Sequence, residues 1–216
     1  MLRRTSVCII SVFIFIAGCA NQHIDKHQYY ESGLHFLEKG NPNGAIIAFK
    51  KAIEKDGSYF EARYKLALAY FLQKRFEAAE RELLKVVRLN PSLDEAHLLL
   101  AKVYIQMART DSALNEIGQY LMRTDEDPEA YEIAASLYAS REEYAKAEET
   151  VMKSLSLSPD RISSKMLLAE IYVARENTKG AETLVKDVLN TDPENRKALY
   201  LYTKITRKQG PVEDGK

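Results

Sequence analysis

The side chains with the most reactive chemistry in this chain belong to two cysteines and four histidines. The histidines are His23, His27, His35 and His97. A zinc site needs His, Cys or carboxylate ligands at short regular spacings such as His-Glu-x-x-His, and no such set occurs. Phosphate-binding loops, dinucleotide-binding glycines and the Gly-x-Ser-x-Gly nucleophile motif do not occur either. The sequence therefore predicts no catalytic centre, metal site or cofactor, and His97 is interpreted as a packing residue.

One cysteine, Cys19, lies in a setting that does indicate a chemistry. Arg3 and Arg4 precede an apolar run at residues 7–17, which is shorter than the roughly 20 residues of a membrane-spanning helix. A positively charged start followed by a short apolar run is typical of a secretory signal. The residues that end the run, Ile16-Ala17-Gly18-Cys19, resemble the lipobox of bacterial lipoproteins.

This resemblance implies that residues 1–18 are a signal peptide and that Cys19 becomes the new amino terminus. Cys19 would then carry a diacylglycerol thioether and an N-linked acyl chain such as palmitate. Two or three chains anchor a protein firmly, because each buried CH₂ contributes about 0.8 kcal/mol. Two alternatives stay open, an ordinary signal peptide or an uncleaved anchor, and in both Cys19 would be incidental.

The residue after the cysteine bears on the membrane. In enteric-type lipoprotein sorting an Asp at this place retains the protein at the inner membrane, so Ala20 implies the outer membrane and a periplasm-facing body. Residues 19–25 are the lipidated cysteine and a polar tether, which reaches only about 20 Å at about 3.3–3.6 Å per residue. We therefore expect the remainder of the chain to lie close to the bilayer.

The chain after the tether repeats itself every 34 residues without insertion or deletion. A large aromatic residue recurs as Phe36, Tyr70, Tyr104, Tyr138 and Tyr172. A small residue three positions earlier recurs as Gly33, Ala67, Ala101, Ala135 and Ala169. A second small residue recurs as Ala45, Ala79, Ala113, Ala147 and Ala181. A helix stop recurs as Gly57, Pro91, Asp125, Pro159 and Pro193. The apolar residues between them have helical spacing.

This pattern at this period resembles the tetratricopeptide repeat (TPR) family. The resemblance covers residues 26–209 and implies an all-α, right-handed TPR superhelical solenoid. Five helical hairpins are expected at residues 26–59, 60–93, 94–127, 128–161 and 162–195. A C-terminal capping helix is expected at 196–209, where Leu199, Tyr202 and Ile205 would cover the last hairpin. Residues 210–216 are expected to be a disordered tail.

The third repeat departs most from the family pattern. It has Asp125 where Pro is expected, Tyr120 where a small residue is usual, and Gly118 inside a helix, where Gly costs about 1 kcal/mol relative to Ala. We expect Tyr120 to separate the two helices of this repeat and to change the superhelical curvature locally.

The family resemblance implies that the first helix of each repeat lines a concave groove. The predicted protein-binding residues are Tyr30, Leu34, Tyr64, Leu68, Phe71, Leu98, Lys102, Ile105, Lys204 and Arg207. Repeats four and five place smaller or more polar residues there, namely Glu132, Ser136, Met166 and Glu170. The groove is thus expected to be apolar near the membrane and basic at the far end. The alternative is that neighbouring first helices bury the apolar side chains.

Charge and groove chemistry narrow the class of partner. Lys plus Arg and Asp plus Glu each number 31, which argues against a nucleic-acid partner. A TPR carboxylate clamp uses Lys and Asn at positions that here hold Tyr30, Leu34, Tyr64 and Leu68, so a chaperone tail is disfavoured. The groove suits an envelope protein or peptide segment with apolar anchors.

The two resemblances together imply a non-enzymatic scaffold or adaptor in the bacterial envelope. The chain is similar to TPR lipoproteins that assist pilus, secretin or exosortase-linked assembly, which implies a role in a secretion, pilus or exopolysaccharide-export complex. The alternative is a structural lipoprotein that associates only with itself as a homo-oligomer, through Tyr200 and Leu201.

Overall fold

The computed structural model describes residues 25–209. The predicted signal peptide at 1–18, Cys19, most of the tether and the predicted tail at 210–216 lie outside the described residues. No helix among the described residues is long and apolar enough to cross a bilayer.

The described chain is built of eleven α-helices and contains no strand. The helices are α1 (Lys26–Glu38), α2 (Pro42–Lys55), α3 (Phe60–Leu72), α4 (Phe76–Leu89), α5 (Asp94–Gln106), α6 (Thr110–Leu121), α7 (Pro128–Ser140), α8 (Tyr144–Leu157), α9 (Ile162–Ala174), α10 (Thr178–Thr191) and α11 (Arg196–Gln209). The odd-numbered helices each begin 34 residues apart, and so do the even-numbered helices from α2 to α10. The predicted all-α solenoid of five hairpins and a final helix is confirmed.

Each hairpin turn has the same backbone form. One residue of each turn has a positive φ of 55–65°, and these residues are Gly40, Lys74, Ala108, Glu142 and Glu176. The next N–H donates to the carbonyl oxygen of the large aromatic residue, as Arg75 N does to Tyr70 O at 2.9 Å. This is the Schellman geometry, which ends a helix by satisfying its last carbonyls. The five turns therefore share one geometry, although only the first of them has a glycine at the positive-φ position.

Within each hairpin a small residue lies opposite a large one. Gly33 of α1 faces Phe49 of α2 so closely that a Cβ on Gly33 would lie 2.4 Å from the Phe49 ring. Later repeats have Ala at the place of Gly33 and a smaller side chain at the place of Phe49. The residues at the latter position are Phe49, Leu83, Ile117, Val151 and Val185, and all are fully buried.

The first helices of neighbouring hairpins form one side of the solenoid. Direct contacts join α1 to α3, α3 to α5, α7 to α9 and α9 to α11, whereas no two second helices make comparable contacts in residues 25–209. Because the second helices are farther apart, they occupy the outer, convex side. The first helices line the inner side, which we call the inner groove.

The stack is weakest between the third and fourth hairpins. α6 and α7 contact each other least of all consecutive helices, and α5 and α7 make fewer direct contacts than the other neighbouring first helices. The prediction that Tyr120 separates α5 from α6 is wrong, since these two helices pack like the other pairs. Tyr120 is buried at the end of α6, and its hydroxyl donates to Asp127 Oδ2 at 2.8 Å. Its bulk lies between repeats and not within one. The change in curvature stays a prediction.

The last helix covers the fifth hairpin with two of the three predicted residues, Tyr202 and Ile205. Ala198, Leu201 and Ile205 are buried at 0%, 5% and 2% exposure, and Tyr202 packs beside them. Leu199 is 44% exposed, so its predicted covering role is wrong. Leu201 lies on the opposite side of the helix and takes that role.

Candidate functional site

The amino-terminal part of the inner groove holds most of the predicted binding residues. Tyr30, Leu34, Tyr64, Leu68 and Phe71 are each partly buried and rest on the core cluster of the first three repeats. Leu98 and Ile105 of α5 have the same intermediate exposure. The sequence left two alternatives for these side chains, exposure in the groove or burial between neighbouring first helices. Each of them contacts its neighbours and keeps part of its surface exposed, which is intermediate between the two.

The aromatic residues of this part pack against one another at their edges. The Tyr30 ring lies 5.8 Å from that of Phe49 and 5.3 Å from that of Tyr59, and Phe71 lies 5.9 Å from Phe76. Burial raises the pKa of Tyr30 and of Tyr64, with a smaller contribution from nearby carboxylates. Both phenols are thus neutral, and the groove offers apolar faces with hydroxyl donors.

The cationic residues predicted for the groove lie in two separate places. Lys102 Nζ of α5 is 3.0 Å from Glu129 Oε1 of α7, so it joins the two neighbouring first helices that otherwise contact each other least. Lys204 and Arg207 are exposed on α11, beside Tyr200, along a shallow cleft of about 470 Å³. Lys102 is therefore neutralised by a partner, whereas Lys204 and Arg207 have no ion pair within the described residues.

A second cleft, of about 590 Å³, lies between α7 and α9 and extends to the start of α11. It is lined by Glu132, Ile133, Ser136, Ile162, Ser163, Met166, Leu167, Glu170, Asn195 and Lys197. Several of these are inner-groove positions of repeats four and five, which the sequence indicated as small or polar. The apolar floor from Ile133, Ile162 and Leu167 is what sequence analysis missed. The sequence feature that could have revealed this floor is the apolar residue next to each polar groove position, such as Ile133 next to Glu132.

Glu132 forms the charged wall of this cleft. Its Oε2 accepts hydrogen bonds from Arg161 Nε at 2.6 Å and from Ser163 Oγ at 2.6 Å, and it lies 2.8 Å from Ser164 Oγ. Burial raises the pKa of this carboxyl, but the bonds from Ser163, Arg161 and Ser164 outweigh burial and hold the pKa below its usual value. Glu132 is ionised at neutral pH, and it ties α7 to the start of α9.

The large aromatic residues of the repeat are structural. Tyr70 and Tyr104 are 6% exposed, and Phe36, Tyr138 and Tyr172 are partly buried. Arg75 lies over the Tyr70 ring at 4.6 Å, and Arg109 lies over the Tyr104 ring at 4.4 Å. The guanidinium groups cover one face of the Tyr70 and Tyr104 rings, so these two rings present little surface to a partner.

His97 is held between two oxygen atoms inside the third repeat. Its Nδ1 lies 2.7 Å from Glu116 Oε2 and its Nε2 lies 3.1 Å from the Pro91 carbonyl oxygen. The residue is 6% exposed, which agrees with a packing role. Among the described residues no group of three or more His, Cys, Asp or Glu side chains is arranged to hold a metal ion.

The predicted self-contact at the end of the solenoid is wrong in one of its two residues. Leu201 belongs to the core under α11, whereas Tyr200 is 70% exposed. Any contact at this end therefore depends on Tyr200 and its exposed neighbours, with no contribution from Leu201.

Two family profiles match the sequence. The tetratricopeptide repeat profile matches residues 30–94. The profile of the ChAPs (Chs5p-Arf1p-binding proteins) matches residues 68–210, which is more than half of the chain. No curated protein matches the sequence.

Solved structures of similar architecture include three with high overlap. MamA is 24% identical, with 80% of this chain and 94% of MamA covered and a TM-score of 0.73. YrrB, described as a TPR protein with an unusual peptide-binding site, is 17% identical, with 83% and 92% covered and a TM-score of 0.75. PilF of Pseudomonas aeruginosa is 20% identical, with 85% and 84% covered and a TM-score of 0.71. At these identities the likeness establishes the fold and no more.

Proposed function

Because this chain belongs to the tetratricopeptide-repeat family, we propose that it is a non-enzymatic adaptor that holds a segment of another protein in its inner groove. The observation that carries this proposal is the row of partly buried apolar side chains on adjacent first helices. Tyr30, Leu34, Tyr64, Leu68 and Phe71 each keep part of their surface open. Contiguous apolar surface of this kind marks interaction sites.

The shape and chemistry of the groove favour an extended or helical segment with apolar anchors. Partly buried aromatic rings provide large contact area at a low cost in conformational entropy, and the neutral hydroxyls of Tyr30 and Tyr64 add directional hydrogen bonds. The peptide-binding site described for YrrB supports a peptide ligand for this fold. Carboxylate recognition would need unpaired cations among these aromatic residues, and Lys102 is already paired with Glu129.

A photo-crosslinking amino acid at Phe71 tests the adaptor role. Incorporated in cells, it should form a discrete adduct with one envelope protein, identified by mass spectrometry. The matched control is the same amino acid at Thr183, which is exposed on the outer side of α10. Adducts of equal pattern at both positions, or none at Phe71, would refute groove binding.

The location of the adaptor is a separate part of the proposal. The lipobox-like Ile16-Ala17-Gly18-Cys19 supports a lipid anchor on Cys19, and Ala20 supports the outer membrane with the body in the periplasm. We propose that the adaptor assists assembly of a secretion, pilus or exopolysaccharide-export complex there. Cys19→Ser should release the protein from membranes or leave an uncleaved precursor on an immunoblot. A variant that matures and fractionates like the wild type would exclude the anchor.

A self-associating structural protein is the second candidate. Tyr200, 70% exposed on the last helix, is the observation that favours it. The mass from light scattering should then rise with concentration, and Tyr200→Glu should abolish the rise. A constant mass for the wild type would leave only the adaptor.

A further inference from the structure

The outward face of α4 carries an unusual combination of side chains. Three basic residues and two leucines occupy positions i, i+3, i+4, i+7 and i+8, and they are Arg81, Leu84, Lys85, Arg88 and Leu89. Leu84 and Leu89 are 42% and 44% exposed. Residues at this spacing share one side of a helix. The opposite side is already buried in the core, so this second amphipathic face points away from the hairpin with no partner in residues 25–209.

The neighbouring second helices extend this face. Six of the nine large hydrophobic side chains exposed in residues 25–209 lie on the second helices or their ends: Ile47, Leu84, Leu89, Met122, Met152 and Leu157. Met122, just after α6, is 80% exposed. Together with Arg81, Lys85 and Arg88, these six residues define what we call the outer face. They lie on α2, α4 and α8 and, for Met122, immediately after α6.

The charge of the outer face is predominantly positive. Lys50 and Lys55 of α2 and Arg81 and Arg88 of α4 are exposed, and none of the four has an ion pair within the described residues. Lys85 pairs with Glu82 at 2.9 Å, and Lys153 of α8 lies 3.8 Å from Glu149. Among the positions of α2, α4, α6 and α8 that correspond to this face, Glu54 of α2 is the other exposed acid, while the exposed Glu77 and Asp111 lie near helix starts and Asp125 and Glu126 follow Met122. The uncompensated charge is therefore basic and lies among exposed apolar side chains.

The repeat fold does not require this composition. The positions on α10 that correspond to the face of α4 hold Thr183, Lys186, Asp187, Asn190 and Thr191. They are polar and of mixed charge, although α10 packs into its hairpin in the same way. The outer face is thus a local feature of α2 to α8 and not a consequence of building the hairpin.

We infer that the outer face docks on an anionic phospholipid surface. Apolar side chains spaced along a helix enter the interfacial region of a bilayer, while Lys and Arg beside them pair with lipid phosphates. A protein partner with an acidic rim is the competing occupant. The basic residues interspersed among aliphatic ones favour lipid, because a bilayer meets both requirements over its whole area. Docking on the convex side would leave the inner groove open, so the inference is independent of the groove proposal.

A single tryptophan tests the inference, because the natural chain has none. Met122→Trp places the indole on the outer face, and Leu72→Trp places it at a 59% exposed leucine on a first helix. The full-length variants are mixed with vesicles of phosphatidylethanolamine and phosphatidylglycerol that contain brominated acyl chains. We expect a blue shift and quenching for M122W and neither for L72W. The pairing of sites matters, since an amino-terminal anchor alone would bring both near the vesicle without burying either.

Charge reversal supplies the second measurement. The M122W variant carrying K85E and R88E should lose the blue shift and the quenching, since each basic residue near an anionic surface contributes about fivefold to affinity. K204E and R207E, the same charge change on α11, should leave them intact. Replacing phosphatidylglycerol with phosphatidylcholine should also remove the signal. Equal spectra for M122W and L72W, no quenching at either site, or quenching that survives K85E and R88E would overturn the inference. If the outer face binds a protein and not lipid, the vesicles should quench neither M122W nor L72W.

Discussion

The two halves of the solenoid share one 34-residue period of helices but differ in how their buried apolar side chains are grouped. From α1 to the buried side of α7, one large apolar core contains Phe49, Leu83 and Ile117, and a small separate cluster is formed by Ala52, Tyr59 and Ala62. From α7 to α11 the core divides into two smaller clusters, built around Val151 and around Val185. The helix spacing of 34 residues is the same in both halves. The period therefore depends on turns and small residues and tolerates a large change in core volume.

The contact between successive repeats shows the same contrast. One position near the end of each second helix is buried together with the third position of the next first helix. The pairs are Ala52–Ala62, Val86–Ala96, Tyr120–Ala130, Ser154–Ser164 and Val188–Ala198. In the fourth repeat the pair is polar, with the two hydroxyl oxygens 2.8 Å apart. The fourth junction thus uses hydrogen bonds where the others use apolar contact, and the third accommodates a tyrosine.

The largest effect should separate core aromatics from groove aromatics in the amino-terminal half. Tyr70→Ala should reduce the free energy of unfolding by about 3–5 kcal/mol, because it removes a buried ring from the large apolar core. Tyr64→Ala should cost much less, since Tyr64 is only partly buried, and it should weaken capture of the partner. Chemical denaturation measures both variants. Equal losses would contradict the division between packing and binding residues.

The next effect concerns the tight pair that begins the solenoid. Gly33→Ala should destabilise the protein by about 1–3 kcal/mol, because the new Cβ would overlap the Phe49 ring. In the background of Phe49→Leu the same substitution should be tolerated, since Ala67 and Leu83 form that combination in the second repeat. A double-mutant cycle from urea melts gives the coupling. Additive losses would show that the two positions do not determine each other.

The polar junction offers a test of the contrast between halves. Ser164→Ala alone should cost about 1–2 kcal/mol, because Ser154, 0% exposed, loses a neighbour and Glu132 loses a hydroxyl. Ser154→Val with Ser164→Ala recreates the Val86–Ala96 pair and should recover most of that loss. Thermal melts of the single and double variants decide it. A double variant less stable than the single would mean that the hydroxyl pair is needed by its surroundings.

Glu132 makes the carboxyl-terminal half sensitive to acid. Its pKa is held below the ordinary 4.5, so its stabilising effect is present at neutral pH and is lost as the pH falls below about 4.5. Glu132→Gln should therefore flatten the dependence of melting temperature on pH in this range. For each protein, the melting temperature at acidic pH is compared with the melting temperature of the same protein at neutral pH. Parallel curves for the variant and the wild type would show that Glu132 does not cause the loss of stability at low pH.

The architecture could be predicted from the sequence because it depends on local, repeated signals. The small and aromatic residues recur at one spacing, and the turns and helix starts follow them. The cleft beside Glu132 could not be predicted in the same way, since its walls come from α7, α9 and the start of α11 and depend on how hairpins stack. The exchange of Leu199 for Leu201 has a related cause. α11 has several apolar residues in succession and no following helix to pack against. The side of α11 that is buried is therefore determined only by its packing on the fifth hairpin.

The smallest effect tests whether the shared turn is strained where glycine is absent. Gly40 has a φ of 65° in the first turn, and Ala108 has a φ of 55° at the same place in the third. A left-handed residue with a side chain costs about 1–2 kcal/mol, but glycine also raises the entropy of the unfolded chain by about 0.4–1 kcal/mol. Ala108→Gly should therefore stabilise the protein by about 0.5 kcal/mol, and Gly40→Ala should destabilise it by a similar amount. Opposite shifts in the urea midpoint would establish that one turn geometry governs the first and third hairpins, whereas a loss in both variants would mean that the third turn is held by its side-chain contacts.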